Sequence, residues 1–402
     1  MNLEVRAAKP EDVGQFRQLL GRAFGWELAP EREASFARLW EPERSFCVFD
    51  GESMVATSGA FSLELTVPGA TVPTGGTTMV AVLPTHRRRG ALRLMMRAHL
   101  ADVREREEPL AALWASDSGI YGRFGYGLAS QHQDLSIDRH HSGRHRLTPA
   151  ATPVSLIDPE QARGRIPPIY ENIRLARPGF FKRSEAWWEE RVLADLPNHR
   201  GGATSLRFAV AADDSGYVVY RQKGHWEEGH GAGEVRVVEL VASTPGGWSG
   251  LWGFVLSHDL VKKVTADHRP PDDPVFDLVA ARRRVNGPTS DALWVRTHDL
   301  VKALAARRYQ VDGRIVLGVT DHFLEEHSVL ELVGGPDGAQ ARMFDDEPDL
   351  SLDIEDLGAC YMGWSRFRGL AGLSRVTGDA SKLRLADLMF SWDPLPWCPE
   401  IF

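Results

Sequence analysis

One segment constrains the fold more than any other: Met79-Val-Ala-Val-Leu-Pro-Thr-His-Arg-Arg-Arg-Gly-Ala-Leu-Arg-Leu-Met-Met. The β-branched run Val80 to Val82 predicts a strand that Pro84 ends. Leu92, Met95, Met96 and Leu100 recur at helical spacing and predict a helix, opened by Ala91, with one buried face. Between strand and helix stand Arg87, Arg88, Arg89 and Gly90. Such a turn is built to hold a phosphate. The first helical turn offers unpaired N–H groups and the positive end of the dipole. Gly90 lets the backbone approach an anion, and the arginines add bidentate donors. No Gly-Lys-Ser/Thr follows, and no Gly-x-Gly-x-x-Gly, so a nucleoside triphosphate loop and a dinucleotide fingerprint are both disfavoured. The bland alternative is a basic surface turn without a ligand, a poor use of three arginines between two buried elements.

This turn resembles the pyrophosphate loop of the GCN5-related N-acetyltransferases (GNATs), Arg/Gln-x-x-Gly-x-Gly/Ala, as Arg87-x-x-Gly90-x-Leu92; Leu92 departs from the small residue at the last position. A second segment extends the resemblance. Ala111-Ala-Leu-Trp-Ala-Ser-Asp-Ser-Gly-Ile-Tyr-Gly-Arg-Phe-Gly-Tyr-Gly reads as strand, short helix and turn. The resemblance implies that this strand diverges from the preceding one and leaves a slot for the pantetheine arm of acetyl-CoA. It also implies a tyrosine aimed at the thioester sulfur. Tyr121 stands at that place, with Ser116 beside the cosubstrate. Tyr126 is the other candidate, and its bland role is to pack the next strand. The backbone N–H of Val80 or Val82 would hold the thioester oxygen as charge grows on it.

The two motifs together are similar to those of a narrower group, the enhanced intracellular survival (Eis) family of actinobacterial acetyltransferases, and the ending Cys398-Pro-Glu-Ile-Phe402 resembles that family's aromatic tail. The implied fold is α/β with mixed sheets: tandem GNAT-like folds followed by a sterol-carrier-protein-like α+β domain. The corresponding regions are 1–145, catalytic; 150–288, a degenerate second copy; and 291–402, whose C-terminus enters the active site. Also implied are a homo-hexamer and acetylation of several amines on one aminoglycoside, an antibiotic-resistance activity. In this picture Tyr121 is the general acid and the carboxylate of Phe402 the general base. An α-carboxyl ionises near 3.3–3.7 in water, about the range that burial would raise toward a better base. Side chains offering a base near the pocket are Glu27, His86, Asp117 and Glu400. Phe24, Trp26 and Phe36 would line the substrate pocket, and Glu27 and Glu400 would supply its acidity; filling the core is the plain role for the three aromatics.

At 402 residues the chain exceeds one ordinary core, and 43% hydrophobic with 25% charged residues is a globular composition. No apolar run reaches the ~18 residues of a membrane span, and the N-terminus lacks a signal-peptide core. Cys47, Cys360 and Cys398 are the only cysteines and lie far apart, which predicts a reduced, cytoplasmic setting. Net charge of −8 disfavours nucleic acid and suits cationic amines. His140, His141 and His145 lie in a linker with Arg139, Arg144 and Arg146, which would repel a cation, so no metal is expected.

Along the chain, Gln131-His-Gln-Asp-Leu-Ser-Ile is expected to close the first sheet. Strands at Leu206, Gly216 and Glu234 and a helix from Leu251 to Leu260 repeat the first region, but the turn between the last two has no arginine. Gly229-His-Gly-Ala-Gly precedes a strand and predicts a hairpin. Two rival classes stay open. One is a binding protein with a vestigial cofactor site. The other is a carrier of lipid or acyl-CoA working through the third region.

Overall fold

The computed structural model describes residues 3–402 other than 28, 30, 31, 140–142, 144 and 146–148. In chain order the first elements are β1 (Leu3–Ala7), α1 (Val13–Phe24), α2 (Glu33–Leu39), β2 (Phe46–Asp50), β3 (Ser53–Val67), β4 (Ala70–Val82), α3 (Ala91–Glu105), β5 (Leu110–Trp114), β6 (Gly127–Leu128) and β7 (Gln131–Asp138). The predicted strand and helix of the 79–100 segment are β4 and α3. Helix α3 buries Ala91, Met95, Met96, His99, Leu100 and Val103, the face that the apolar spacing indicated.

The chain divides into two compact units. One holds the residues up to Ser130 with Ala292–Asp393 and Ile401–Phe402; the other holds Gln131–Asp291 with Pro394–Glu400. The first unit carries a sheet whose order is β1-β2-β3-β4-β5, then the strand Leu293–Thr297, then β6. Strands β4 and β5 are parallel, joined through α3, and the Leu293–Thr297 strand runs antiparallel to β5. The same unit carries a five-stranded sheet around Gly313–Asp321, packed with the helices Ile354–Tyr361 and Ala380–Phe390 over a core that includes Leu317, Leu330, Leu357 and Met389.

The second unit has a sheet of like design. Val154–Ile157, Arg207–Ala211, Gly216–Lys223 and Gly233–Ala242 are antiparallel neighbours; Val261–Arg269 then pairs parallel to Gly233–Ala242. The next strand is β7, antiparallel to Val261–Arg269. Strand β7 therefore does not close the first sheet, as its sequence position suggested. Its buried residues Leu135 and Ile137 join the core of Val235, Val264 and Leu251 in the second unit. In the first sheet the place beside β5 belongs to Leu293–Thr297, buried at every position. Each sheet thus takes this strand from across the chain. Where the chain crosses, Ala129 and Ser130 donate to Leu293 O, and Ala292 donates to Ser130 O. Period-two burial of a strand says which face is inside, not which sheet receives it.

The helix expected at Leu251–Leu260 starts earlier, spanning Pro245–Leu256. Thr244 caps it, accepting from Gly247 N, and Pro245 occupies its first position, a start signal the apolar run concealed. The hairpin at Gly229 forms as expected between Trp226–Glu227 and His230–Gly231. Among the described residues no helix is long and apolar enough to cross a membrane.

Candidate active site

The site begins with a fault in a strand pair. Opposite Ser58 of β3, strand β4 places two residues, Met79 and Val80, because the register runs Thr57↔Ala81 and then Gly59↔Thr78. Met79 adopts φ 52, left-handed for a non-glycine residue, as the extra residue of a bulge demands. The bulge turns β4 away from its other neighbour. Pairing with β5 covers only Thr74–Thr77 against Leu110–Leu113 and stops there. Beyond Thr77 the two parallel strands part, and Val80 and Val82 are half-buried along the opening. Leu83 N donates back to Val55 O of β3. By the alternation of strand amides, the N–H of Val82 faces the other way, into the opening. Val80 lies in the bulge itself.

At the end of β4 the chain turns tightly into α3. A 3-10 turn spans Pro84–His86, Arg88 is left-handed at φ 61, and Gly90 caps α3 at φ 89. A side chain at Gly90 would meet no atom within 4 Å, so the requirement for glycine comes from the backbone angle alone. Arg87, Arg88, Arg89 and Gly90 are exposed, while Ala91 is buried at the first turn of α3. Free helix-terminal amides, an open glycine and surrounding guanidinium groups fit a pyrophosphate, and the neighbouring strand opening fits an extended amide-bearing arm.

The tyrosine segment is assembled by distant parts of the chain. Tyr121 precedes the 3-10 turn Gly122–Phe124, and its own O accepts from Phe124 N and Tyr126 N. Arg296, wholly buried on the Leu293–Thr297 strand, donates to Phe124 O at 2.7 Å and pairs with Asp321. The same strand pairs Trp294 and Val295 with Leu128 and Val295's neighbour Gly127 in β6. Phe124 meets Phe323 edge-on at 4.9 Å, and Arg93 and Arg97 of α3 lie over the Phe323 ring. None of these partners is legible from residues 111–127. Tyr121 is 4% exposed. Burial pushes its hydroxyl up to about 12, with a hydrogen bond from Ser116 pulling it back and Asp117 pushing the same way as burial. Ser116 itself is exposed.

Tyr126, the other candidate, is fully buried and its Oη lies 2.9 Å from Thr77 Oγ1. Thr77 Oγ1 is in turn 2.6 Å from His99 Nε2 of α3. Thr77 is the last residue of β4 to pair with β5, so this buried chain sits at the apex of the opening. Burial lowers His99 to about 3, assisted by Arg44. Arg44 is itself buried, bound bidentately by Glu108 at 2.8 and 2.6 Å and by Asp102 at 3.0 Å. Sequence reading missed this network; an internal polar run such as Thr77 within an apolar strand was its only trace.

The candidate bases fare differently. His86 is held by Asp50 at 3.3 Å and by Thr85 at 2.8 Å. Asp117 accepts from Gly119 N at 2.9 Å and shapes its turn. Glu27 is exposed. Glu400, read as a source of acidity for substrate, belongs to the second unit, where one oxygen accepts from Arg183 Nε at 2.6 Å and the other from Trp187 Nε1 at 2.5 Å. With both oxygens committed and the side chain 14% exposed, Glu400 anchors the chain and is not presented to a substrate. Phe402 belongs to the first unit and is 7% exposed.

Of the aromatic candidates, Phe24 and Trp26 stack at 4.8 Å and 16°, and both are exposed, Trp26 at 60%. Gly25 ends α1 at φ 72 and turns Trp26 back over Phe24. Phe36 instead packs on Phe16 and Trp40 and belongs to the core of this unit. His140 and His141 lie outside the described residues. In the second unit His132, Asp134 and His268 bring potential metal-ligand atoms within 4.8 Å of one another. Asp134 Oδ1 there accepts from His268 N at 2.9 Å and holds the left-handed turn of His268 (φ 55).

Residues 4–129 and 179–315 each match an acetyltransferase (GNAT) domain family, and residues 300–399 match a sterol carrier protein domain family. The chain is 36% identical to an N-acetyltransferase of Streptomyces avermitilis over the full length of both. It is 32% identical to the N-acetyltransferase Eis of Mycobacterium tuberculosis over 91% of each chain. The crystal structure of Eis1 from Mycobacterium abscessus superimposes with a TM-score of 0.86 at 28% identity, covering 99% of this chain and 100% of that one. A GCN5-related N-acetyltransferase from Anabaena variabilis reaches the same TM-score at 18% identity and shares the fold.

Proposed function

The chain belongs to the Eis family of N-acetyltransferases, and from that premise we propose that it acetylates amines of aminoglycosides, with lysine side chains and polyamines as further acceptors. Acetyl-CoA is the cosubstrate. Its pyrophosphate lies on the Arg87–Ala91 turn and its pantetheine arm in the opening between β4 and β5, beside Ser116. The substrate amine enters past Phe24 and Trp26, with Glu27 attracting its charge; Phe36 backs them from the core.

Transfer is direct. The carboxylate of Phe402 takes a proton from the ammonium form of the substrate, freeing the nitrogen lone pair. The amine attacks the thioester carbonyl, and the N–H of Val82 or Val80 receives the growing negative charge on oxygen. As the tetrahedral centre collapses the C–S bond breaks. Tyr121 gives its proton to the sulfur, and CoA leaves as the free thiol. The nitrogen gives up two protons in becoming the amide: the carboxylate passes the first to solvent and then takes the second from the tetrahedral centre. The proton lost by Tyr121 is replaced from solvent before the next turnover.

One observation supports this reading: the freed end of β4 runs from its bulge to the glycine-capped basic turn, and Tyr121 meets edge-on, at 6.2 Å, the Tyr126 that is hydrogen-bonded to Thr77 where the strands part. In this scheme residues 1–145 are catalytic, 150–288 form the copy without a cofactor turn, and 291–402 serve as support for the catalytic sheet. Assembly as a homo-hexamer completes the proposal, to be read by sedimentation equilibrium. The activity test mixes the protein with acetyl-CoA and kanamycin, follows thiol release and weighs the product. Release with a product heavier by one or more acetyl groups supports the reading. Binding of acetyl-CoA without release directs the search to peptides and polyamines, and failure to bind acetyl-CoA removes the central claim. The rival lipid carrier predicts lipid co-purifying with the protein, detectable by mass spectrometry of an organic extract.

A further inference from the structure

The second sheet has an opening like that of the first, and two arginines link its freed strand to the C-terminal segment. Gly233–Ala242 pairs with Val261–Arg269 only from Gly233 to Val237; among the described residues no strand pairs with that side from Val238 to Ala242. This is the arrangement that frees β4 beyond Thr77. In the second unit two residues of the freed half reach the C-terminal segment through arginines. Leu240 O accepts from Arg269 Nη1 at 2.6 Å, and the Arg269 guanidinium lies 4.7 Å from the ring centre of Trp397. Glu239 pairs with Arg183, which also holds Glu400 at 2.6 Å.

The segment is fixed along its length. Arg177 Nε donates to Leu395 O at 2.9 Å and Leu395 N to Asp272 at 3.2 Å. Trp397 N donates to Pro178 O at 2.8 Å, and its indole N–H to His268 O at 2.6 Å. Arg183 has no exposed side-chain surface and lies over the rings of Tyr170, at 3.8 Å, and Trp188, at 4.6 Å. A buried guanidinium bound by two carboxylates is a built site.

We propose that the opening of the second acetyltransferase-like sheet is a binding site for the chain's own segment 394–400, with Arg183, Trp187 and Arg269 as its recognition groups, and that this occupant stands where a pantetheine arm would lie. The degenerate copy is then a holder for the tail. On the reading that Phe402 supplies the base, the holder also positions that residue. Arg183 and Glu400 act through Phe402 and are positioning residues.

The test compares the full chain with Glu400→Ala and Glu400→Gln, and Trp397→Leu as an independent release of the same segment. Hydrogen exchange read by mass spectrometry is expected to quicken about tenfold or more in Glu400→Ala and Trp397→Leu, at residues 394–400 and 238–242 together. Glu400→Gln, which keeps an acceptor for Arg183 but turns an NH2 toward the Trp187 indole N–H, is expected to fall between wild type and Glu400→Ala. Calorimetry of the wild type should find one acetyl-CoA per chain. A second equivalent bound to the wild type, or exchange at 238–242 indifferent to loosening of the tail, overturns the proposal. Loosened-tail variants should lose about tenfold in kcat with the affinity for acetyl-CoA unchanged. A loosened tail with full kcat removes Phe402 from the mechanism and leaves the tail site standing.

Discussion

Burial keeps Tyr121, the proposed acid, in its protonated form. A hydroxyl pushed up to about 12 stays protonated throughout the working range, so it always has a proton to give. Tyr121→Phe is expected to lower kcat about a hundredfold with the dissociation constant of acetyl-CoA unchanged, measured by thiol release and calorimetry. No loss of rate from ionised Tyr121 should appear as the pH rises to 9. His99 makes a different prediction. Its folded value near 3 lies below the ordinary histidine value of about 6.5, so the unfolded chain binds the extra proton first. Stability from keeping His99 neutral is complete above the unfolded value and is lost as the pH falls from there toward 3. The slope is up to about 1.4 kcal/mol per pH unit. Urea denaturation from pH 7 to pH 4 should show a flatter decline in His99→Gln, whose amide can still reach Thr77.

At the scale of elements, the opening of the sheet depends on a bulge and the turn depends on one glycine. Gly90 at φ 89 has room for a side chain but the wrong backbone angle for one. Gly90→Ala therefore forces either strain of about 1–2 kcal/mol or a different turn. The expected outcome is an acetyl-CoA affinity weaker by about tenfold, with kcat less affected, read by calorimetry and steady-state kinetics. Residues 79–100 announced this strand, turn and helix because their signals are local: Pro84, the arginines, Gly90 and a period of apolar residues. The bulge at Met79 was not legible. It exists only as a mismatch between β3 and β4, and neither strand records it alone.

At the scale of the molecule the tail matters most. Adding one residue after Phe402 moves the carboxylate away from its proposed place by about one residue length, 3.3–3.6 Å. The extended protein is expected to keep its thermal midpoint and lose about a hundredfold in kcat, checked by calorimetry and thiol release. Full activity in a normally folded extension excludes the carboxylate as base. Two assignments made from sequence changed at this scale. Glu400, acidic and near the end, looked like a substrate contact, yet Arg183 and Trp187, more than 200 positions away, take both its oxygens. Gln131–Asp138 looked like the last strand of the first sheet and lies in the second.

The sequence by itself determined the class of fold, the strand–turn–helix of residues 79–100, the strand and turn around Tyr121 and the duplicated plan, because each is written in residues close together along the chain. Glycine angles, helix caps and apolar periods act over a few residues, and their meaning survives without knowledge of neighbours. The tertiary structure alone decided which sheet each exchanged strand joins, that Arg296 holds the turn after Tyr121, and where the carboxylate of Glu400 is spent. These are choices among partners of equal local suitability. A strand with one apolar face fits either sheet, and a carboxylate fits any guanidinium. Burial selects among such partners only when the whole chain has folded, since the desolvation of Arg183 or Arg296 is offset solely by partners brought from elsewhere in the sequence.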